Sequence, residues 1–326
     1  MEGDKMNLFD KRLDVLEAIV IAVKLYVGNI DNEELDFVEY PNIPYVRDLV
    51  RKIDVQKYPE LIDYVKDIVD CAHYTNLYLY FDNSFNFNGD VAKSVFETKK
   101  CDSFARLVRK IYFNENIEEV FSKYHDYLEQ YEREYLNLHN FDCEKTRKAF
   151  STLFDVPENT QFLYNISLLI NGGFSANKEN ETCYVKGIGN NIEANKEKNE
   201  YINVCLYHEF AHYFVNPLVD EFFTDETVVE KLYNESIENG LPNTYSQNKL
   251  TVVYEYFVRA LSIIFSKKEV SDKEIKENID WFKKIGFIRI EEIINFIEFG
   301  IKINEKFKDI LLDYVEMIKI KSNKLT

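Results

Sequence analysis

The chain has 326 residues, enough to bury a large core in one big domain or two. With 46% apolar and 15% aromatic residues it is a folding chain and not a disordered one. A formal net charge of −17 leaves no cationic excess to neutralise phosphates, which argues against nucleic acid and anionic membrane surfaces as partners; plain solubility accounts for the acidity.

Residues 11–27 read as the first helix, with Leu13, Leu16, Ile19, Val20, Val23 and Leu25 on its apolar side. Glu17 and Lys24 within the apolar run suit an amphipathic helix better than a secretory signal, and no stretch is long enough to span a membrane. The expectation is a cytoplasmic protein, or a secreted one if a leader has been removed. Cys71, Cys101, Cys143, Cys183 and Cys205 are odd in number, widely spread and never C-x-x-C, the pattern of free thiols in a reducing compartment.

A polar link with Pro41 and Pro44 leads to helices expected over 45–53 and 59–71. Residues 76–87 are ambiguous between helix and strand, and helices are expected again over 91–113 and 115–138. Phe121, Tyr124, Leu128 and Tyr131 form an aromatic-rich stripe at helical spacing, read as packing. The character changes near Pro157. Residues 162–170 (FLYNISLLI) read as a strand, Asn171-Gly172-Gly173 as a turn, and 181–188 (ETCYVKGI) as a second strand broken by Gly187 and Gly189. Residues 184–189 are the candidate free edge for pairing with an extended peptide, against the alternative of an ordinary hairpin. Residues 190–198 form a polar loop.

The next stretch, 201–217 (YINVCLYHEFAHYFVNP), holds His208, Glu209 and His212, an H-E-x-x-H. On a helix the two histidines lie one turn apart on one face, where they can share a metal ion, and Glu209 projects beside them as a base for water. The flanking residues are apolar on almost every side, so the helix is buried, and Pro217 is expected to stop it. Two buried histidines and a glutamate call for compensation, by a metal or by core hydrogen bonds. Cys205, one turn earlier, is a conceivable further ligand, though a small buried hydrophobe is its commoner role. Asn216 either ties down a ligand or caps the helix.

Helices follow over 219–239, ending at Gly240, then 251–265, 271–285, 291–301 and 305–320. Catalytic zinc takes three protein ligands, so a third is required. Val215 and Leu218 stand where an H-x-x-G-x-x-H extension needs Gly and His, which excludes that type. Asp220 and Asp225 sit in an acidic, surface-like stretch. Glu255 fits best: it and Arg259 are the only formal charges between Lys249 and Lys267, four apart on one greasy helix. They make either a simple internal ion pair or a metal ligand with Arg259 orienting it. Tyr245, Tyr254 and Tyr256 are neighbours of Glu255 in sequence, and none is singled out as a donor to an oxyanion.

HEFAHYFVNP followed by EYFVRA, together with an opening segment DKRLDVLEAIVIAVKL, resembles an uncharacterised bacterial family of proposed zinc metallopeptidases, domain of unknown function 4932. The resemblance implies a gluzincin-like zinc site of His208, His212 and Glu255, with Glu209 as base; the residues themselves suggest Arg259 and Asn216 behind the ligands. The expected fold is mainly α with a small β-sheet: an N-terminal helical region over 1–155 and a zincin-like region over 156–326. The expected activity is zinc-dependent hydrolysis of a peptide or protein substrate. The rival classes are a non-catalytic acidic helical binding protein with a structural or vestigial metal site, and a hydrolase of non-peptide amides. Oligomeric state is left open.

Overall fold

The structure is a computed structural model that describes residues 8–28, 43–65, 77–87, 98–139, 142–188, 199–242, 245 and 248–323. The fold is mainly helical with a small sheet, the α+β class expected. The chain divides into two compact units, residues 1–140 with 163–197, and residues 141–162 with 198–326.

The first unit is built on α1 (Lys11–Val27), whose first turn is closed by the Asp10 side chain accepting from the amide of Arg12. Every residue from Leu13 to Val23 is buried, including Asp14 and Glu17 at 0% exposure, while Leu25 is exposed. The helix is therefore enclosed on all sides and not amphipathic. Glu17 is carried inside because Ser167 donates to it. Around α1 stand α2 (Pro44–Arg51), α3 (Glu60–Val65), α4 (Thr98–Asn114) and α5 (Glu118–Leu138). Pro44 starts α2 at a position where no amide hydrogen is missed. Asn116, in the left-handed region, separates α4 from α5. Leu128 and Tyr131 of the aromatic-rich stripe are buried. Residues 77–87 resolve into a single helical turn and a tight loop whose ends bridge at Phe81 and Phe87. Pro41, Cys71 and the expected helical residues 66–71 and 91–97 lie outside the described residues, as do Gly189 and the loop 190–198.

The sheet of this unit has three strands, β1 (Gln161–Ser167), β2 (Asn171–Lys178) and β3 (Glu181–Ile188), in the order β1-β3-β2. Three expectations fail here. Asn171-Gly172-Gly173 is not the turn but the start of β2, which pairs antiparallel with β3 from Asn171↔Ile188 to Lys178↔Glu181. The reversal is made by Glu179 and Asn180, with Glu179 at φ 41°. β3 is the middle strand, bonded on both sides, so it offers no free edge to a peptide. Gly187 does not break β3 either. A Cβ there would stand 2.6 Å from the carbonyl oxygen of Ile170, so glycine is what permits the close approach.

The second unit holds α6 (Cys143–Leu153) and a helical array: α7 (Asn199–Phe222), α8 (Glu226–Glu238), α9 (Lys249–Ser266), α10 (Asp272–Lys284), α11 (Ile290–Lys302) and α12 (Phe307–Asn323). α7 packs most extensively on α9, and α9 also rests on α8 and α11. Helix starts follow their sequence signals. Asp225 caps α8, Asn248 caps α9, and Ser271 with Glu274 forms a reciprocal capping box on α10. Gly240, at φ 91°, closes the α8 end as expected.

Pro217 does not stop the metal-motif helix: α7 runs through it to Phe222. The proline ring is exposed, so it is accommodated on the open side of the helix. Val215 and Val219, on either side of the proline, are fully buried, and their packing holds the helix together. The core side of α7 is an aromatic cluster, with Phe210 edge-on to Phe162 at 5.0 Å and Phe214 stacked on Phe150 at 5.1 Å.

Candidate metal centre

Two helices of the second unit supply the site. On α7 about 100° separates successive residues, so His208 and His212 point the same way with Glu209 about 60° to one side of His212. Their rings stand 5.0 Å apart and nearly perpendicular. From α9, the carboxylate of Glu255 turns toward both imidazoles. Oε1 is 3.5 Å from Nε2 of His212 and Oε2 is 3.8 Å from Nε2 of His208. Donor atoms of the three side chains all lie within 4.8 Å of one another. Glu255 is 8% exposed.

The supporting contacts are specific. His212 Nδ1 stands 3.2 Å from Oδ1 of Asn216; in the tautomer that donates to Asn216, the Nε2 lone pair faces Glu255. Arg259 places Nη2 2.7 Å from Oε2 of Glu255 and donates from the same nitrogen to the hydroxyl of Tyr245 at 3.0 Å. The guanidinium is held between the rings of Phe282 and Phe287, 4.8 and 4.7 Å from their centroids. Phe287 reaches this place because Gly286, at φ 98°, lets the chain turn against Leu241; a Cβ there would meet the Leu241 amide nitrogen at 2.7 Å.

The electrostatics favour ligands in their metal-binding protonation states. Burial pushes Glu255 upward, but Arg259 and then the two imidazoles outweigh it and hold the carboxyl at about 2. Burial pushes His208 down to about 3, against the pull of Glu255 and with the help of His212 and Arg259, so its imidazole is neutral at neutral pH.

A carboxylate and two imidazoles are the donor set of catalytic zinc. Bonds of about 2.0–2.1 Å at tetrahedral angles set ligand atoms about 3.3 Å apart, close to the 3.5 and 3.8 Å seen here. Oε2 of Glu255 is buried with Nη2 of Arg259 2.7 Å away, and one such neighbour leaves a carboxylate oxygen further acceptor capacity on the side of the imidazoles. A buried carboxylate oxygen with spare acceptor capacity facing two imidazole nitrogens fits a cation.

The structure thus brings together His208, His212, Glu255, Arg259 and Asn216. Glu209 is half-buried on the same helix, near enough for its charge to act on Tyr245. Other candidates fall away. Asp225 is occupied as a helix cap, Asp220 accepts from the Tyr254 hydroxyl, and Cys205 is not part of the donor cluster. Tyr245 is the residue that sequence reasoning did not select. It sits more than thirty residues from the histidines in a chain of 23 tyrosines, and only its bond to Arg259 marks it.

A family model, Domain of unknown function (DUF4932), matches residues 75–320. No curated protein and no solved structure is significantly similar to the chain.

Proposed function

The chain belongs to the DUF4932 family, and we propose that it is a zinc-dependent hydrolase of peptide bonds. The observation that carries this reading is the convergence of His208, His212 and Glu255 on one point, with the acid of the H-E-x-x-H beside them. A purely structural metal site needs ligands but has no use for Glu209. Zinc held by these three residues would polarise the scissile carbonyl and make its water more acidic. Glu209 accepts the proton of the attacking water and returns it to the leaving amine. Arg259 keeps Glu255 ionised and aimed, and Asn216 fixes the ring of His212.

The test combines metal content with turnover. Wild-type protein loaded with zinc is expected to carry one ion per chain and to cleave members of a quenched-fluorescent peptide library. Glu209→Gln is expected to keep the ion and lose activity by about 10²–10⁴-fold. Glu255→Gln is expected to lose the ion. Stoichiometric zinc with no cleavage of any peptide, and no effect of Glu209→Gln, would turn the reading to a binding module. Cleavage confined to non-peptide amides would move the substrate class.

A further inference from the structure

We propose that Tyr245 is a catalytic residue whose hydroxyl donates a hydrogen bond to the oxyanion formed when water adds to the scissile carbonyl. The inference rests on the hydrolase reading above and adds to it a group that touches the reacting atoms.

Three tyrosines are near Glu255 in sequence, and geometry separates them. The Tyr256 hydroxyl is buried 2.8 Å from Ser236 Oγ, and that of Tyr254 is spent on Asp220. The Tyr245 hydroxyl is 3.0 Å from Nη2 of Arg259, the same nitrogen that lies 2.7 Å from Oε2 of Glu255. It is therefore one guanidinium nitrogen away from the proposed ligand carboxylate.

The chemistry of that bond decides what the hydroxyl can do. Arginine has no acceptor, so the phenol oxygen must be the acceptor, and its own hydrogen is left for another partner. Among the described residues no acceptor takes it. A phenol that accepts from a guanidinium is also a stronger donor, because the two bonds polarise in the same sense. The ring itself is set edge-on against Phe287 at 5.7 Å, and Phe287 in turn lies under Arg259. The donor is thus preorganised, as oxyanion stabilisation requires.

The step balances without transfer of the tyrosine proton. Water oxygen bonds to the carbonyl carbon while its proton goes to Glu209, and the carbonyl π pair moves onto oxygen. The Tyr245 hydroxyl donates to that oxygen while it is charged. Collapse re-forms the carbonyl, breaks the carbon–nitrogen bond and sends the proton from Glu209 to the amine.

The experiment uses full-length zinc-loaded protein and compares Tyr245→Phe with Tyr254→Phe. Tyr245→Phe is expected to keep one zinc per chain and a KM within about twofold, while kcat falls by about 10²–10³. Binding of an N-phosphoryl dipeptide, whose tetrahedral oxygens mimic the oxyanion, should weaken by a similar factor by calorimetry. Tyr254→Phe should match wild type in all four readouts. Unchanged kcat and unchanged phosphoryl-dipeptide affinity in Tyr245→Phe would overturn the proposal while leaving the hydrolase reading intact. Loss of zinc together with activity would overturn it in favour of a role in holding the site together. A wild type that binds zinc and cleaves nothing would remove the hydrolase reading and this proposal with it.

Discussion

Arg259 is the residue on which the site's order depends. It neutralises a buried carboxylate, accepts the faces of two aromatic rings and passes a hydrogen bond to Tyr245. Removing one partner of a buried ion pair strands the other, at a cost of about 3–5 kcal/mol. Arg259→Gln is therefore expected to destabilise the zinc-free protein by about that amount and to weaken zinc by about 10–100-fold. Denaturant unfolding in chelator and competitive zinc titration check the two effects. An unchanged zinc affinity would reduce Arg259 to a counter-charge. At this scale much of the site was legible. Glu255 and Arg259 stand out because charge inside a greasy helix needs a reason, and the histidine spacing matches one turn. Tyr245 was not legible, because a loop residue comes to its place through the turn at Gly286 and the position of Phe287, neither of which has a local signature.

At the scale of elements, α1 carries the least expected arrangement. Asp14 and Glu17 are both fully buried. The single hydroxyl hydrogen of Ser167 goes to Glu17, the nearer acid, with Oδ1 of Asp14 3.1 Å from the same Oγ, while Tyr45 donates to Asp14 at 2.6 Å. Burial pushes Asp14 up to about 7 and Glu17 well above its usual range, the latter also through Asp14. In the unfolded chain both acids ionise near pH 4, whereas in the folded chain they keep their protons longer. Stability is thus full below pH 4 and declines as pH rises toward 7, for Asp14 by about 3–4 kcal/mol at most. Asp14→Asn is expected to flatten this decline. Melting temperatures of both proteins at pH 5 and pH 8 test it, and parallel profiles would refute the linkage. The sequence showed the helix but not its enclosure, since Glu17 and Lys24 in an apolar run read as a polar face. The other misreadings also follow from tertiary contacts. β2 is a poor strand by composition and forms because β3 supplies its ladder. α7 crosses Pro217 because buried valines on both sides outweigh one lost hydrogen bond.

For the whole molecule, all the proposed ligands belong to the second of the two compact units. An ion that binds only folded chain stabilises by about 2.7 kcal/mol at a hundred times its dissociation constant. Scanning calorimetry of the zinc-free and zinc-loaded protein should show that stabilisation in the unfolding of residues 141–162 with 198–326. If the units melt separately, one transition moves and the other stays. A scan that zinc does not alter would contradict specific binding to the native state. The overall class, mainly helical with a small sheet, was readable from composition and periodicity.

Both imidazoles ride on one helix and the carboxylate on another, so the three donors form a jaw with two sides. Its opening is set by how closely α7 and α9 lie. Zinc bonds of about 2.0–2.1 Å and calcium bonds of about 2.3–2.6 Å differ by only a few tenths of an ångström. If the site holds zinc as proposed, side chains packed between those helices, which never meet the ion, would act as shims for its fit.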